Sequence, residues 1–437
     1  MDPRLRRIDK LLDDESLVDT VLDAMRSRFE QSGRRGRRGT PAEVALRMLV
    51  LKHLKDWSYE ELEWEVKGNL VYRHFCRIDA GKVPDAKTMV RLGQLLSGPT
   101  LRAVFERIVL LAVGRKVARG RKARIDTTVV EAPIRYPNDA RLCEDVTQTV
   151  RRHVDHLRRA GVAAPRGFRN VQRSVSRRVR EITQVARRRV EKDAKRRALQ
   201  KPYGKLLAIT RRTLRQASEM LAQAKRRRSR LTGRGKRSLR KLEEVIGLGA
   251  RVLKQTKARV FKGNAKSLEK IVSIFEPHAQ ILRRGKAGKP TEFGQMVKVQ
   301  EAENGLITDI GVVFDSDHAL LVPSVERHQS VFGRVPQVVS TDRGFYKAEN
   351  VHLVEKMGVR CVAVPKPGYR SPTQLARERT RTFRKARAWR AGGEARIARL
   401  KRTFGMSRTR YKGNGGTSRA AHWAAIANNL MAIGGRA

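Results

Sequence analysis

The sequence predicts an α/β protein: a mixed sheet with flanking helices, interrupted by a long basic helical insertion and preceded by an all-α N-terminal region. Three observations predict it. Residues 1 to about 115 place apolar side chains at helical spacing. Two short stretches, Ala123–Val130 and Val338–Gly344, combine β-branched residues with one Asp each. Between them, residues 147 to about 275 return to a helical period and carry an extreme positive charge.

At 437 residues the chain can bury a large core and is expected to form two or three domains. It carries 97 Lys and Arg against 43 Asp and Glu, a formal charge of +54. Such an imbalance repels itself unless a polyanion is present. Nucleic acid is the first candidate partner, because phosphate neutralisation releases counterions; an anionic membrane surface is the weaker alternative. No run approaches the length of about 18 apolar residues that suggests a membrane span, so no membrane partner is expected. The start, Met1-Asp2-Pro3-Arg4, lacks a signal-peptide hydrophobic region. Cys76, Cys143 and Cys361 are far apart and odd in number, which fits a reducing cytosol better than a disulfide framework or a zinc site.

In chain order, Leu46, Leu49, Val50 and Leu54 follow Thr40-Pro41, a cap and first helical position. Ser58-Tyr59-Glu60-Glu61 has the form of a capping box opening the next helix. Tyr72, Phe75 and Ile78 mark a third helix, and Pro84-Asp85 opens a fourth with Met89, Leu92, Leu95 and Leu96 on its apolar face. These helices suit either DNA contact, helix-turn-helix geometry included, or dimerisation and packing. Leu101 to Val117 is a further amphipathic helix. Ile125 to Ile134 then favours a strand, ended by the turn residues Tyr136-Pro137-Asn138-Asp139.

Residues 151 to 260 hold 36 Lys and Arg against 7 Asp and Glu, an excess of +29. The segment keeps its apolar period: Val171, Val175, Val179, Ile182 and Val185 on one stretch, and Leu207, Leu214 and Leu221 in steps of seven on another. Gly233 and Gly235 are read as a turn between long helices. A solvated helix normally mixes both charge signs, so the one-sided charge favours an arm that grips the DNA backbone.

After the insertion, Met296–Glu301 and Leu306–Val313 flank Ala302-Glu303-Asn304-Gly305, and Asn-Gly between alternating runs is a strong hairpin signal. A helix over Val322–Phe332, a strand over Val335–Asp342, a helix over Ala348–Met357 and a strand over Val359–Val364 follow. A basic loop leads to a helix starting at Gly393 or Glu394, and a last helix runs from about Arg419 to Ala432. Without the insertion, the order is strand, hairpin, helix, strand, helix, strand, helix, which is the order of the RNase H-like fold. The expected division is 1–115 helical, 116–146 the first part of the catalytic domain, 147–275 the basic insertion and 276–437 the second part.

In that fold the first and fourth strands are neighbours, which would set Asp126 beside Asp342. Glu394 would approach from a helix packed on the sheet, with Arg390 and Lys401 on its own face provided that the helix already includes Arg390. Three carboxylates can hold two divalent ions about 3.5–4 Å apart, the spacing that clamps both oxygens of a phosphodiester displacement. Magnesium is the expected metal, with manganese as a substitute. Asp139, Asp315 and Asp317 are read as turn, cap or minor supporting residues, and His328 and His422 as structural. Trp389 is a candidate for stacking on an unpaired base, although a core tryptophan is the commoner fate. The Asn428-Asn429 pair is read as helix packing or backbone hydrogen bonding. No glycine-rich phosphate loop with its lysine appears, so no nucleotide cofactor is expected.

These motifs resemble the DDE transposases of bacterial insertion sequences, over most of the chain. The first acidic motif resembles Asp126-Thr127-Thr128 through Asp139, and the second resembles Thr341-Asp342-Arg343-Gly344-Phe345. The third is similar to the family signature of Tyr, two residues, Arg, three residues, Glu, six residues, Lys: Arg390, Glu394 and Lys401 match in spacing, while Arg387 stands at the Tyr position. Residues 40–100 and Thr291–Gly294 are similar to the family as well. The resemblance implies cut-and-paste transposition on double-stranded DNA, at terminal inverted repeats and then at target DNA. Asp126, Asp342 and Glu394 would be catalytic and hold the metals. Arg390, Lys401 and Arg343 would position the DNA, and two protomers would pair the ends. The implied location is the bacterial cytoplasm, at the nucleoid. The rival readings are a catalytically silent DNA-binding repressor, a basic structural protein of nucleic acid, and a simple nuclease of the same fold.

Overall fold

Strand β1 (Lys122–Glu131) is the axis of the sheet. The structure, a computed structural model, describes residues 1–27, 39–264, 270–283, 288 and 290–435. Ahead of β1 lie helices α1 (Pro3–Leu11), α2 (Glu15–Arg26), α3 (Ala42–Lys55), α4 (Tyr59–Gly68), α5 (Leu70–Phe75), α6 (Ala86–Leu95) and α7 (Gly98–Gly114). After it come α8 (Asp139–Arg159), α9 (Gln172–Arg187), α10 (Lys192–Arg226), α11 (Gly233–Lys262) and the short β2 (Gln280–Leu282). The chain continues through β3 (Glu292–Glu301), β4 (Ile307–Val313), α12 (Leu321–Phe332), β5 (Val338–Ser340), α13 (Ala348–Lys356) and β6 (Cys361–Ala363). It closes with α14 (Pro372–Arg379), α15 (Arg381–Thr403) and α16 (Gly416–Gly434). Contacts divide the chain into two units: residues 1–133 with 294–437, and residues 134–293.

In the first unit, β1 pairs antiparallel with β3 and parallel with β5. β3 pairs antiparallel with β4, and β5 parallel with β6. The strand order is therefore β4-β3-β1-β5-β6. The β3–β4 hairpin turns where the sequence says it should: Asn304 and Gly305 take φ of 62° and 78°, the left-handed pair that matches strand twist. Successive residues of β1 face opposite sides. Ala123 and Ile125 join Val339 and Val362 against α12 and α13, while the other side meets α15, whose Phe383 and Ala386 are buried. Helix α16 is buried along most of its length and packs on α1, α3 and α7, so the C-terminal helix completes the N-terminal bundle.

Local chemistry fixes several ends. The Ser58 hydroxyl accepts from the Glu61 amide at 3.1 Å, and the Glu61 carboxylate accepts from the Ser58 amide at 2.7 Å, completing the capping box. Glu303, in the hairpin turn, accepts from the amides of Gly120, Arg121 and Lys122 and so ties the turn to the entry of β1. Asn429 donates to the Ile307 carbonyl at 2.8 Å and accepts from its amide at 2.9 Å, joining α16 to β4 as a strand would.

Some sequence expectations shift. β1 ends at Glu131 rather than Ile134, and Asn138-Asp139 is not a strand-ending turn but the cap and first residue of α8. Gly233 and Gly235 form the first turn of α11, capped by Thr232, because the chain break falls a few residues earlier. β5 spans only Val338–Ser340. The stretch read as a basic loop holds α14, and α15 begins at Arg381, twelve residues before the expected start. Tertiary packing on β1, β5 and β6 carries the helix through Gly392-Gly393.

The second unit is helical and has its own core. Val146, Val150, Val154, Val175, Val179, Ile182, Leu206, Leu242 and Val252 meet inside it. Asp139 is buried there, pairs with Arg259 and accepts from Gln255 at 3.2 Å, which fastens the start of α8 to α11. Its pairing there is structural.

The buried Glu301 carboxylate accepts from both Arg124 and Arg396. Removing a charge from such a network strands its partners without compensation. Glu301→Gln is expected to lower the unfolding free energy by about 3 kcal/mol, read as a fall in the urea midpoint at constant slope; an unchanged midpoint would show that the pairs are dispensable.

Candidate active site

The parallel pairing of β1 with β5 sets Lys122, Ala123 and Arg124 level with Val338, Val339 and Ser340. The pairing ends there, and Asp126 and Asp342 each lie two residues further along, Asp126 still in β1 and Asp342 in the turn after β5. Asp126 shares the face of Arg124, toward α15. The Ser340 hydroxyl donates to the Ala386 carbonyl of α15, so this position of β5 faces the same helix. Asp126 thus belongs to the side of the sheet that α15 covers, while Asp342 lies just past the end of β5.

α15 brings Arg390 and Glu394 to that side. The Arg390 guanidinium donates to Asp126 Oδ2 at 3.1 Å and lies 3.9 Å from Glu394 Oε1. One cation therefore links the first and third acids. Glu394 is about three-quarters exposed and Asp126 is mostly covered. Asp342 bends back to accept from the Gly344 amide at 2.9 Å, ordering the turn after β5. Arg343 follows it, exposed. Lys401 is half-buried on α15, seven residues past Glu394 and hence on the same face. The exposed Arg387 occupies one turn before Arg390.

A fourth carboxylate stands nearby that the sequence reading treated as a cap or turn residue. The Thr127 hydroxyl donates to Asp317 Oδ1 at 3.0 Å. A side chain on Gly344 would meet Asp317 Oδ2 and Asp342 Oδ1, each at 3.1 Å from its Cβ. Asp317 and Asp342 therefore flank the same glycine. No linear motif signals this, because Asp317 reaches the site through a loop after β4. The donors are hard carboxylate oxygens, which suit magnesium by type. Among the described residues, no three His, Cys, Asp or Glu side chains stand together as a ready ligand group.

The frame around the acids is cationic. Arg124 donates to both oxygens of Glu301, at 2.9 and 2.6 Å, and to the Trp389 carbonyl at 2.6 Å. Its guanidinium lies 4.7 Å from the Trp389 ring centroid, so one face of that ring is already stacked. Arg396 joins Glu301 at 3.2 Å and Asn428 at 3.1 Å. Asn428 in turn donates to the Gly305 carbonyl at 2.9 Å. The asparagine pair thus holds the cationic frame as well as α16. His328 and His422 bond to the carbonyls of Gly120 and Ser418 and are structural.

Residues 1–94 match the family described as Transposase domain (DUF772), which supports a transposase-related protein. No curated protein and no solved structure matches the chain. None of the described helices is long and apolar enough to cross a membrane.

The two glycines of α15 give opposite expectations. A Cβ on Gly392 would lie 2.8 Å from Arg124 Nη1, whereas one on Gly393 would meet Arg124 at 3.5 Å, an ordinary contact. Gly393→Ala should raise stability by up to about 1 kcal/mol through helix propensity. Gly392→Ala should lower it by about 1–2 kcal/mol, because the overpacked guanidinium is fixed by Glu301. Urea midpoints check both signs, and a gain in both variants would mean that Arg124 moves freely.

Proposed function

We propose that the chain is a DDE-type transposase with an RNase H-like catalytic core, which cleaves DNA at terminal inverted repeats and joins the freed ends to target DNA. The observation that carries this reading is the Arg390 bridge from Asp126 to Glu394, and the parallel β1–β5 pairing, which ends two residues short of Asp126 and Asp342, supports it. The strand order β4-β3-β1-β5-β6, with two antiparallel pairings followed by two parallel ones, supports the core. The match of residues 1–94 to a transposase domain supports the class of activity.

Asp126, Asp342 and Glu394 are the residues that would hold magnesium, or manganese in its place. Ions bound there would activate water and clamp the attacking and leaving oxygens. The chain's own groups do the rest. Arg390 offsets the mutual repulsion of Asp126 and Glu394 in the free protein and is placed to donate to a phosphate. Lys401 and Arg343 add positive charge near the acids, where negative charge develops on the reacting phosphate. Trp389, flanked by Arg124 at 4.7 Å and Lys122 at 5.9 Å from its ring centroid, would stack on an unpaired base only where these cations leave room. Two protomers would pair the two ends of the element, in the bacterial cytoplasm at the nucleoid.

The helical unit acts as a backbone-gripping surface. Its buried residues are mainly apolar, and arginines such as Arg211, Arg212 and Arg215 are exposed. Charge of one sign over a folded core suits contact with phosphates irrespective of sequence.

Asp126→Asn, Asp342→Asn and Glu394→Gln are each expected to abolish cleavage of repeat-end DNA in magnesium while leaving DNA binding within about threefold, because one charge is a small part of the interface. A variant that cleaves at the normal rate removes that residue from the site. Replacing Arg211, Arg212 and Arg215 together by Gln should flatten the plot of log K against log salt by up to about 3, at roughly 0.9 per lost phosphate contact. Repeat and random DNA should weaken alike; a loss confined to repeat DNA would instead make the unit a reader of sequence.

A further inference from the structure

A cleft of about 940 Å³ lies in the first unit, among α3, the start of α4, α6, and the segment from Phe404 to Ala420. Its size is that of a small-molecule site. Lys52 lines it, is only 5 % exposed, and has no hydrogen-bond or ion-pair partner among the described residues. Its ammonium lies 4.8 Å from the Tyr59 ring centroid. Arg419 lines the same cleft with a buried Nε that has no partner in the described structure. Two more cations, Arg410 and Lys412, complete the basic lining.

Among the described residues, no acid of the cleft forms an ion pair with the Lys52 ammonium, although the charges of Asp56 and Glu61 reach it. Asp56 is paired with Arg410 at 3.2 Å. Glu61 is held in the capping box with Ser58. Glu60 is exposed. His53 stacks on Trp423 at 4.5 Å and hydrogen-bonds the Tyr411 hydroxyl at 3.0 Å. Burial holds it well below the usual histidine range, so it stays neutral. A buried ammonium with no direct ion pair is costly to the fold, and burial, with the nearby Arg410 charge, outweighs Asp56 and Glu61 and pushes Lys52 down to about 8. An anion that enters the cleft removes that cost.

We propose that this cleft is a phosphate site for a nucleotide-sized ligand, with Lys52 and Arg419 binding the phosphate and Tyr59, Phe404 and Tyr411 flanking the sugar and base. The shared chemistry is a nucleoside phosphate, whether a nucleotide unit of a DNA strand or a free nucleotide. The charge of +54 favours the strand. Phe404 follows α15 directly, ten residues beyond Glu394, or about 15 Å along the helix. On the proposed function, a strand passing Glu394 would reach the cleft a few nucleotides away. Phosphate binding itself does not depend on that reading, and its test uses no cleavage.

A lysine with a lowered pKa acylates readily at pH 8. The full chain is treated with an amine-acylating reagent, and labelling of Lys52 is followed by mass spectrometry, with the exposed Lys87 as reference. The probes are inorganic phosphate, deoxyadenosine monophosphate and a 5′-phosphorylated single-stranded hexanucleotide. The expected result is that the hexanucleotide slows labelling of Lys52 relative to Lys87 by about tenfold or more, the occupancy effect of a ligand held well above its Kd. Equal protection by the mononucleotide assigns the site to free nucleotides as well, and protection by the hexanucleotide alone assigns it to a strand. No protection by any probe overturns the proposal. Lys52→Met gives a second reading: the melting temperature should rise, because a desolvated charge is removed, while protection of the fold by the nucleotide is lost. A lower melting temperature with nucleotide stabilisation intact would make Lys52 structural and overturn the assignment.

Discussion

The site depends on the buried network centred on Glu301. This carboxylate lies on β3 opposite Arg124 of β1 and takes both hydrogen bonds of that guanidinium, while Arg396 of α15 reaches it from the helix side. Arg396 continues to Asn428 of α16, which holds the Gly305 carbonyl in the hairpin turn. Two strands, two helices and a turn are therefore joined through one carboxylate. The net stabilisation of such a group is small, since desolvation offsets attraction, but the geometry it imposes is strict. Arg396 is two residues, a little over half a helical turn, from Glu394. With Arg396 fixed inward, Glu394 must face outward, and it is about three-quarters exposed.

The same network explains a local conflict in the sequence. Two adjacent glycines in a helix interior weaken it by about 1 kcal/mol each. At Gly392 the absence of a Cβ leaves room for Arg124 to cross the helix and reach the Trp389 carbonyl. At Gly305 the positive φ makes the hairpin turn, and the missing side chain leaves space for Arg396. Both glycines serve the positioning of an arginine bound to Glu301. Helix α15 can then carry Arg390, Glu394 and Lys401 on one continuous face, because it starts at Arg381 and not at the glycines.

The two units distribute charge in different ways. In the first, arginines near the acids are tied into buried pairs, as Arg124, Arg396 and Arg390 are. In the second, a core of valines and leucines supports a surface on which many arginines are exposed. The first arrangement gives fixed positions to a few cations. The second gives a diffuse field that attracts a polyanion from any direction along its surface.

The sequence by itself determined the α/β class, the Asn304-Gly305 hairpin, the Ser58 capping box and the helical character of the basic segment, and it singled out Asp126, Asp342 and Glu394 as candidates. Each of these rests on local periodicity, turn chemistry or spacing, which act over a few residues. Tertiary structure decided the rest. It extended α15 through Gly392-Gly393, because packing on β1, β5 and β6 outweighs local propensity. It brought Asp317 beside Asp342, and it made Asp139 a buried partner of Arg259. It also placed Lys52 and Arg419, 367 positions apart in the chain, in one cleft. Those outcomes depend on which distant segments meet, and only the folded chain brings them together.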